Sequence, residues 1–256
     1  DLNGAGSSAL KGFRPTRIGN PDAKWETNTT INIGFDAGIL DNKFQLSFDW
    51  YTKNTNDLLY NPRIPGTNGA ADQPFINVAE MKNTGIDLQL GYKQVFSSDL
   101  RFDASFVMTT YKNEILKIAE GLPFFDSGTS RIGPFNRNIV GQSMSEFFGY
   151  QVEGLFQSSV EVTGAPTQAG AEAGFFRYAN IDNSNNVIDP NDRTSIGNPN
   201  PKFTYGLNLG VTYKNFDITT FFYGSQGNDI FNYNKWWLDF LPSFQNKKSK
   251  YLLNSW

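Results

Sequence analysis

The 256 residues hold 22 Lys and Arg against 25 Asp and Glu, a net charge of −3, with neither cysteine nor histidine. A slightly acidic chain lacks the clustered basic face that a phosphate backbone demands, which argues against a nucleic-acid partner; without Cys or His it has no disulfide, thiolate nucleophile, Ser-His-Asp triad or imidazole metal site. Aromatic residues make up 15%, yet no apolar run approaches the roughly 18 residues of a helical membrane span.

The chain begins at Asp1, with no Met, basic n-region or apolar h-region ahead of it, so a fragment is expected, with any targeting segment outside it. The first periodic stretch sets Trp25, Thr27, Thr29, Ile31, Ile33, Phe35, Ala37 and Ile39 on one face and Glu26, Asn28, Thr30, Asn32 and Asp36 on the other, which predicts a strand of about fourteen residues. Past Leu40-Asp41-Asn42, Phe44, Leu46, Phe48 and Trp50 oppose Lys43, Gln45, Ser47, Asp49 and Tyr51, completing a hairpin. The pattern returns twice. Thr84, Ile86, Leu88, Leu90 and Tyr92 oppose Asn83, Asp87, Gln89 and Lys93, and after Phe96-Ser97-Ser98-Asp99 a strand carries Phe102, Ala104, Phe106 and Met108 on its apolar side. Later, Phe203, Tyr205, Leu207, Leu209, Val211 and Tyr213 oppose Lys202, Thr204, Asn208, Thr212 and Lys214, with a return strand from Phe216 to about Tyr223.

Such strands run to about a dozen residues, against about five or six in soluble sheets, and at about 3.3 Å per residue and a tilt near 40° they cover a membrane thickness. Turns near 40–42, 94–99 and 214–216 are short, whereas 54–80, 113–201 and 226–256 are long and rich in Asn, Gly and Pro. Alternating short and long connections are the habit of an outer-membrane barrel, with short periplasmic turns and long extracellular loops. The fold class expected is therefore all-β, an antiparallel transmembrane β-barrel, incomplete in this chain, with about six spanning strands. Phe44, Leu46, Phe48, Ile31, Ile33, Phe35, Leu207 and Leu209 should face lipid, and Gln45, Asp49, Asn32, Asp87 and Asn208 a lumen. Trp25, Trp50, Tyr51, Tyr111, Phe203, Tyr205 and Tyr223 cluster at the long-loop ends, and Tyr92, Phe102, Tyr213 and Phe216 at the short-turn ends, as two interfacial belts. Glu146 to Gln157 also alternates, but as a span it would reverse the side on which the later loops emerge, so it is placed as a local strand within a 113–201 excursion.

Taken in order, "GNPDAKWE" (19–26), "DWYTKNTNDLL" (49–59), "NTGIDLQLGY" (83–92), "GQSMSEFFGYQVEGLFQ" (141–157), "IDPNDRTSIGNPNPKFTYGLNLGVTYKNFD" (188–217) and "GSQGNDIFN" (224–232) resemble the SusC/RagA-type TonB-dependent transporters of the Bacteroidota outer membrane. That resemblance implies residues 1–256 as part of one barrel domain, with the plug, the N-terminal domain and the final strands absent. It implies TonB-dependent import of oligosaccharides, or peptides in some members, through the outer membrane of a Gram-negative bacterium. Its partners would be a SusD-like surface lipoprotein, the TonB complex, outer-membrane lipid and a glycan or peptide solute, and no nucleic acid. A secreted β-sandwich carbohydrate-binding or adhesin module, or a secretion-associated outer-membrane barrel, are the alternatives.

Residues 180–193, "NIDNSNNVIDPNDR", lie where many members of that family have a loop like an EF-hand ligand run. Asp182, Asn183, Asn185, Asp189 and Asp192 could offer oxygens to Ca²⁺; the alternative is an Asx-rich loop held by side-chain to backbone bonds. No cofactor is otherwise required. In the long connections, Tyr60, Phe124, Phe125, Trp236 and Trp237 could stack on a sugar or pack beneath the loops, and Arg131, Arg137, Asn136 and Asn138 could bond a glycan or a peptide carboxylate or stay solvated. Gly66-Thr67-Asn68-Gly69 lacks the Lys-Ser/Thr of a phosphate loop, no carboxylate pair is marked for glycoside hydrolysis, and no enzyme is expected.

Overall fold

The structure, a computed structural model, describes residues 15–61, 71–130, 133–236 and 238, with the backbone alone at 127–130. Its main element is a six-stranded antiparallel sheet built from β1 (Thr27–Ile39), β2 (Phe44–Tyr60), β3 (Ile76–Val95), β4 (Leu100–Ile118), β11 (Phe203–Tyr213) and β12 (Phe216–Gln226), in that spatial order. Six strands are thus where alternation predicts them. The sheet is open, with β1 and β12 at its edges, and neither face is covered by a second sheet among the described residues, contrary to the sandwich alternative.

Register follows from the side-chain pattern. Phe35 pairs with Phe48 and Phe48 with Leu88, while Leu207 sits between Phe106 and Phe222, so apolar residues meet apolar residues across all six strands. A slip by one residue would exchange the two faces of a strand. The first turn closes through Leu40, Asp41 and Asn42, all at positive φ, with Lys43 N donating to Leu40 O at 3.2 Å.

The strands outrun the alternation. β2, β3 and β4 are 17, 20 and 19 residues long, so the connection predicted at 54–80 shrinks to 61–75 and the excursion predicted at 113–201 becomes 119–202. The ladder continues through bulges near Asp57, whose φ is 56°, and at Glu80/Met81, where Asn77 Nδ2 donates to Asp57 O at 2.7 Å. By contrast, β11 and β12 stop at 11 residues each.

The excursion carries its own small sheets. β5 (Phe125–Ser130), β6 (Gly133–Asn138), β7 (Glu146–Tyr150) and β10 (Arg193–Gly197) form one, ordered β10-β7-β6-β5, while β8 (Val152–Leu155) pairs with β9 (Phe176–Tyr178) and a helix α1 (Ser159–Gly164) lies between them in sequence. The 146–157 segment is therefore local strand, split between two sheets, and crosses nothing. The core lies where excursion meets wall: Val78, Ala79, Ile115, Ile118 and Phe125 are buried together, flanked by Leu58, Tyr60, Ile76 and Met144.

Candidate functional site

Three layers of the molecule bear on function, beginning with the wall. One face presents Ile31, Ile33, Phe35, Phe44, Leu90, Val211 and Phe222 to the outside, with Ile33 65% exposed in the middle of its strand. On the other face Thr109 Oγ1 donates to Asp87 Oδ1 at 2.6 Å and Asn208 Nδ2 reaches Ser105 Oγ at 3.2 Å. Tyr51 crosses over Gly85 on this polar face; a Cβ at Gly85 would stand 2.6 Å from the Tyr51 hydroxyl, so only glycine admits the ring. A continuous apolar face this broad is stable against lipid and not against water.

All short turns, 40–43, 96–99 and 214–215, lie at one end of the sheet, and the 61–75 connection, the 119–202 excursion and the segment after β12 at the other, because every neighbouring pair is antiparallel. The excursion is tied to β4: Ile115 N donates to Gln142 O at 2.9 Å, Gly141 N to Ile115 O at 2.8 Å, and Met144 N to Asn113 Oδ1 at 2.6 Å. Asn113 is fixed in turn by donating to Asn83 Oδ1 at 2.7 Å.

Within the excursion the Arg137 guanidinium lies between two rings, 3.4 Å from the centre of Phe124 and 4.3 Å from that of Phe148, and its Nε is 3.0 Å from Asp126 Oδ1. Tyr60, at the top of β2, donates its hydroxyl to Asp126 O at 2.8 Å and packs on Phe125 at 5.2 Å. A second aromatic cluster joins the segment after β12 to the small sheet: Phe231 stacks on Phe135 at 4.7 Å and touches Phe147 at 6.0 Å, then passes through Tyr233 to Trp236, stacked at 5.3 Å.

The 180–193 loop uses its carboxylates internally. Asp192, wholly inaccessible to solvent, accepts from Ile181 N at 2.7 Å and Asp182 N at 3.3 Å through Oδ1 and from Asp189 N at 2.8 Å through Oδ2. These backbone donors, Asp189 N foremost, hold its carboxyl below the ordinary range although burial opposes them. Asp182 accepts from Ser184 N and Ser184 Oγ, Asp189 from Asn191 N, and Asn185 Oδ1 from Val187 N, while Asn183 sits at φ 49°. Among the described residues no three acidic side chains converge as a metal-binding group. Ca²⁺ takes six to eight oxygens, and those of this loop already accept the backbone and hydroxyl donors just named.

The family model described as "TonB dependent receptor-like, beta-barrel" matches residues 4–114. TonB-dependent receptor P3 of Formosa agariphila is 32% identical over 232 residues, 89% of this chain and 23% of that protein. TonB-dependent receptor SusC of Bacteroides thetaiotaomicron is 28% identical over 245 residues, 92% of this chain and 22% of that protein. The chain belongs to the TonB-dependent receptors, in their SusC/RagA branch. The same fold recurs in solved structures of the RagAB peptide transporter, with a TM-score of 0.77 at 24% identity over 98% of this chain and 26% of that one, and of the RagAB peptide importer in an open-open state, at 0.74 and 23%. The chain spans about a quarter of the length of the relatives it matches.

This TonB-dependent receptor is an outer-membrane protein, and its apolar face is the lipid-facing one. Of the residues singled out in its loops, Tyr60, Phe124, Phe125 and Arg137 come together in one cluster, and Trp236 ends the second. Phe125 is only 6% exposed and packs in the core, offering no face to a solute, and Arg137 is spent on Asp126 and two rings. Asn138 is fully buried, bonded to Phe125 O and Ser145 N. Arg131 and Trp237 lie outside the described residues. Sequence reasoning missed Asp126, Phe148, Phe135 and Phe231, which build these clusters; the paired aromatics Phe124-Phe125 and Phe147-Phe148 were the available signal.

Proposed function

We propose that the chain forms part of the wall and extracellular vestibule of a TonB-dependent importer. One observation carries this: a lipid-facing sheet whose large connections all gather at one end, leaving a polar inner face below them. Residues 1–256 then belong to a single barrel domain. The solute is an oligosaccharide or a peptide: the sequence resemblance implies the first, and the similar solved fold, called a peptide transporter, supports the second. A SusD-like surface lipoprotein covers the vestibule, and the TonB complex supplies the energy for release into the periplasm. Binding surfaces concentrate on loops held by a rigid scaffold, and the excursion is such a surface. It needs no cofactor; the 180–193 loop is self-supporting.

Tyr150 pairs with Arg193, so residues 152–191 can be replaced by a short glycine linker without separating β7 from β10. In the complete receptor this deletion should leave a heat-modifiable, inserted barrel while lowering co-purification of the lipoprotein and uptake of its solute together. A deletion that leaves both intact removes the recognition role from the excursion.

A further inference from the structure

The inner face of the wall is not polar throughout. Cross-strand rows on β4, β11 and β12 set Val107 beside Gly206 and Tyr223, and Ser105 beside Asn208 and Phe221. Val107 pairs on its other side with Gln89, and Gln89 with Ser47, both members of the lumen-facing series, so these rows face the lumen. There Phe221 is 64% exposed and Tyr223 69%. Position along the strand alone puts Tyr223 in an interfacial belt; its register with Gly206 turns it inward.

Glycine makes these side chains one surface. A Cβ at Gly206 would stand 3.1 Å from Val107 Cγ2 and 3.6 Å from Phe221 Cε2, so the two lean together over bare backbone, and Tyr223 flanks the same glycine. Exposed rings on a face otherwise built of amides, hydroxyls and carboxylates call for an occupant. Higher up, two residues below the Asn113 that fastens the excursion, Tyr111 shares this face with Tyr51, one on each side of Gly85. Aromatic side chains thus descend from the root of the excursion along the inside of the wall.

Charge selects the occupant. On β4, β11 and β12 the rows through Thr109, Val107 and Ser105 hold no Asp, Glu, Lys or Arg. Charged groups stand only at the borders: Asp87 accepts from Thr109 Oγ1 at 2.6 Å, Asp103 lies beside Gly210 in the next inward row, and the Lys202 stem runs over Gly227. A peptide would bring charged termini onto this panel without counter-charges. A neutral sugar brings an apolar C–H face for a ring, and hydroxyls that both donate and accept. The Asn208 Nδ2 to Ser105 Oγ contact at 3.2 Å leaves the amide oxygen and the serine proton for such hydroxyls. We propose, on the import reading above, that the panel is a stacking track for a neutral oligosaccharide crossing the barrel, with Phe221 and Tyr223 taking sugar faces and Ser105 and Asn208 bonding hydroxyls.

The test uses cells carrying the complete receptor and follows, by mass spectrometry, uptake of a pool of neutral glucan and mannan oligosaccharides and of a pool of tryptic peptides. Phe221→Leu/Tyr223→Leu keeps apolar bulk and removes the rings; it should slow saccharide uptake about tenfold at equal amounts of heat-modifiable receptor. Phe221→Tyr/Tyr223→Phe keeps both rings and should transport as wild type does, and Phe222→Leu, on the lipid face of the same strand, should change nothing. Undiminished saccharide uptake by the double Leu variant would overturn the track and leave the import reading standing, the rings then serving only as packing for the plug. Entry of peptides and no saccharide into wild-type cells would overturn it in the same way. Entry of neither pool would overturn the import reading, and the track with it.

Discussion

At the scale of single residues the excursion is governed by groups that sequence makes look solvated. Arg137 has its planar guanidinium between Phe124 and Phe148 and its Nε on Asp126, an arrangement that uses the fork and the flat face together. Arg137→Lys keeps the charge and loses both features, so it should loosen the excursion nearly as much as Arg137→Ala. The loss expected for Ala is about 2–3 kcal/mol of local stability, from an ion pair left half-broken and two lost ring contacts. Limited proteolysis across 120–150 measures it, with barrel insertion unchanged. Asp192 gives a pH signature. Its folded pKa lies below the ordinary value of 3.8, so the order it confers is complete above that pH and is lost as pH falls through the lower, folded value. Protease protection of 180–193 should therefore hold at neutral pH and fail in strong acid. Asp192→Asn, which turns one acceptor oxygen into a donor against backbone N–H groups, should reduce protection several-fold at neutral pH. Calcium or a chelator should leave it unchanged; a calcium-dependent gain would contradict a self-supporting loop.

For the strands, the two-residue period does the work that a long apolar run does in a helical membrane protein. Ile33→Lys places a charge on the lipid face near mid-strand and should cost about 2–4 kcal/mol, enough to reduce insertion sharply. Asn32→Lys, one residue away, points to the lumen and should insert normally. Heat-modifiability on gels separates the two, and equal behaviour would mean the faces are misassigned. This alternation is also why the six wall strands were legible from residues alone. It fails above the membrane, where Lys53-Asn54-Thr55-Asn56-Asp57 carries polar side chains on both faces, because neither side of β2 meets lipid there. Alternation alone consequently reads the upper parts of β2, β3 and β4 as loop. β5, β6, β9 and β10 are three to six residues long, too short for a period to show. The candidate site was legible only as a list of residue types: Tyr60, Phe124, Phe125 and Arg137 were singled out, but their meeting depends on pairings such as Tyr60 with Asp126, 66 positions apart.

Viewed whole, the molecule has a stepped rim. β3 and β4 rise about twice as far as β11 and β12, and the excursion stands on the lower step, bonded to Asn113 and Ile115 on one side and to Asp229 on the other through Asn198. β11 pairs with β4 only as far as Thr109, so the upper reach of β4 would be a bare strand edge if residues 141–144 did not lie against it. An uncovered edge of that length is a template for another chain. The excursion is thus also a guard against self-association: removing 139–144 with the rest should produce receptors that cross-link side by side through residues 110–118. The shorter deletion of 152–191 should produce no such cross-link, so losing the guard, and not losing the vestibule, is what would bring two of these strand edges together.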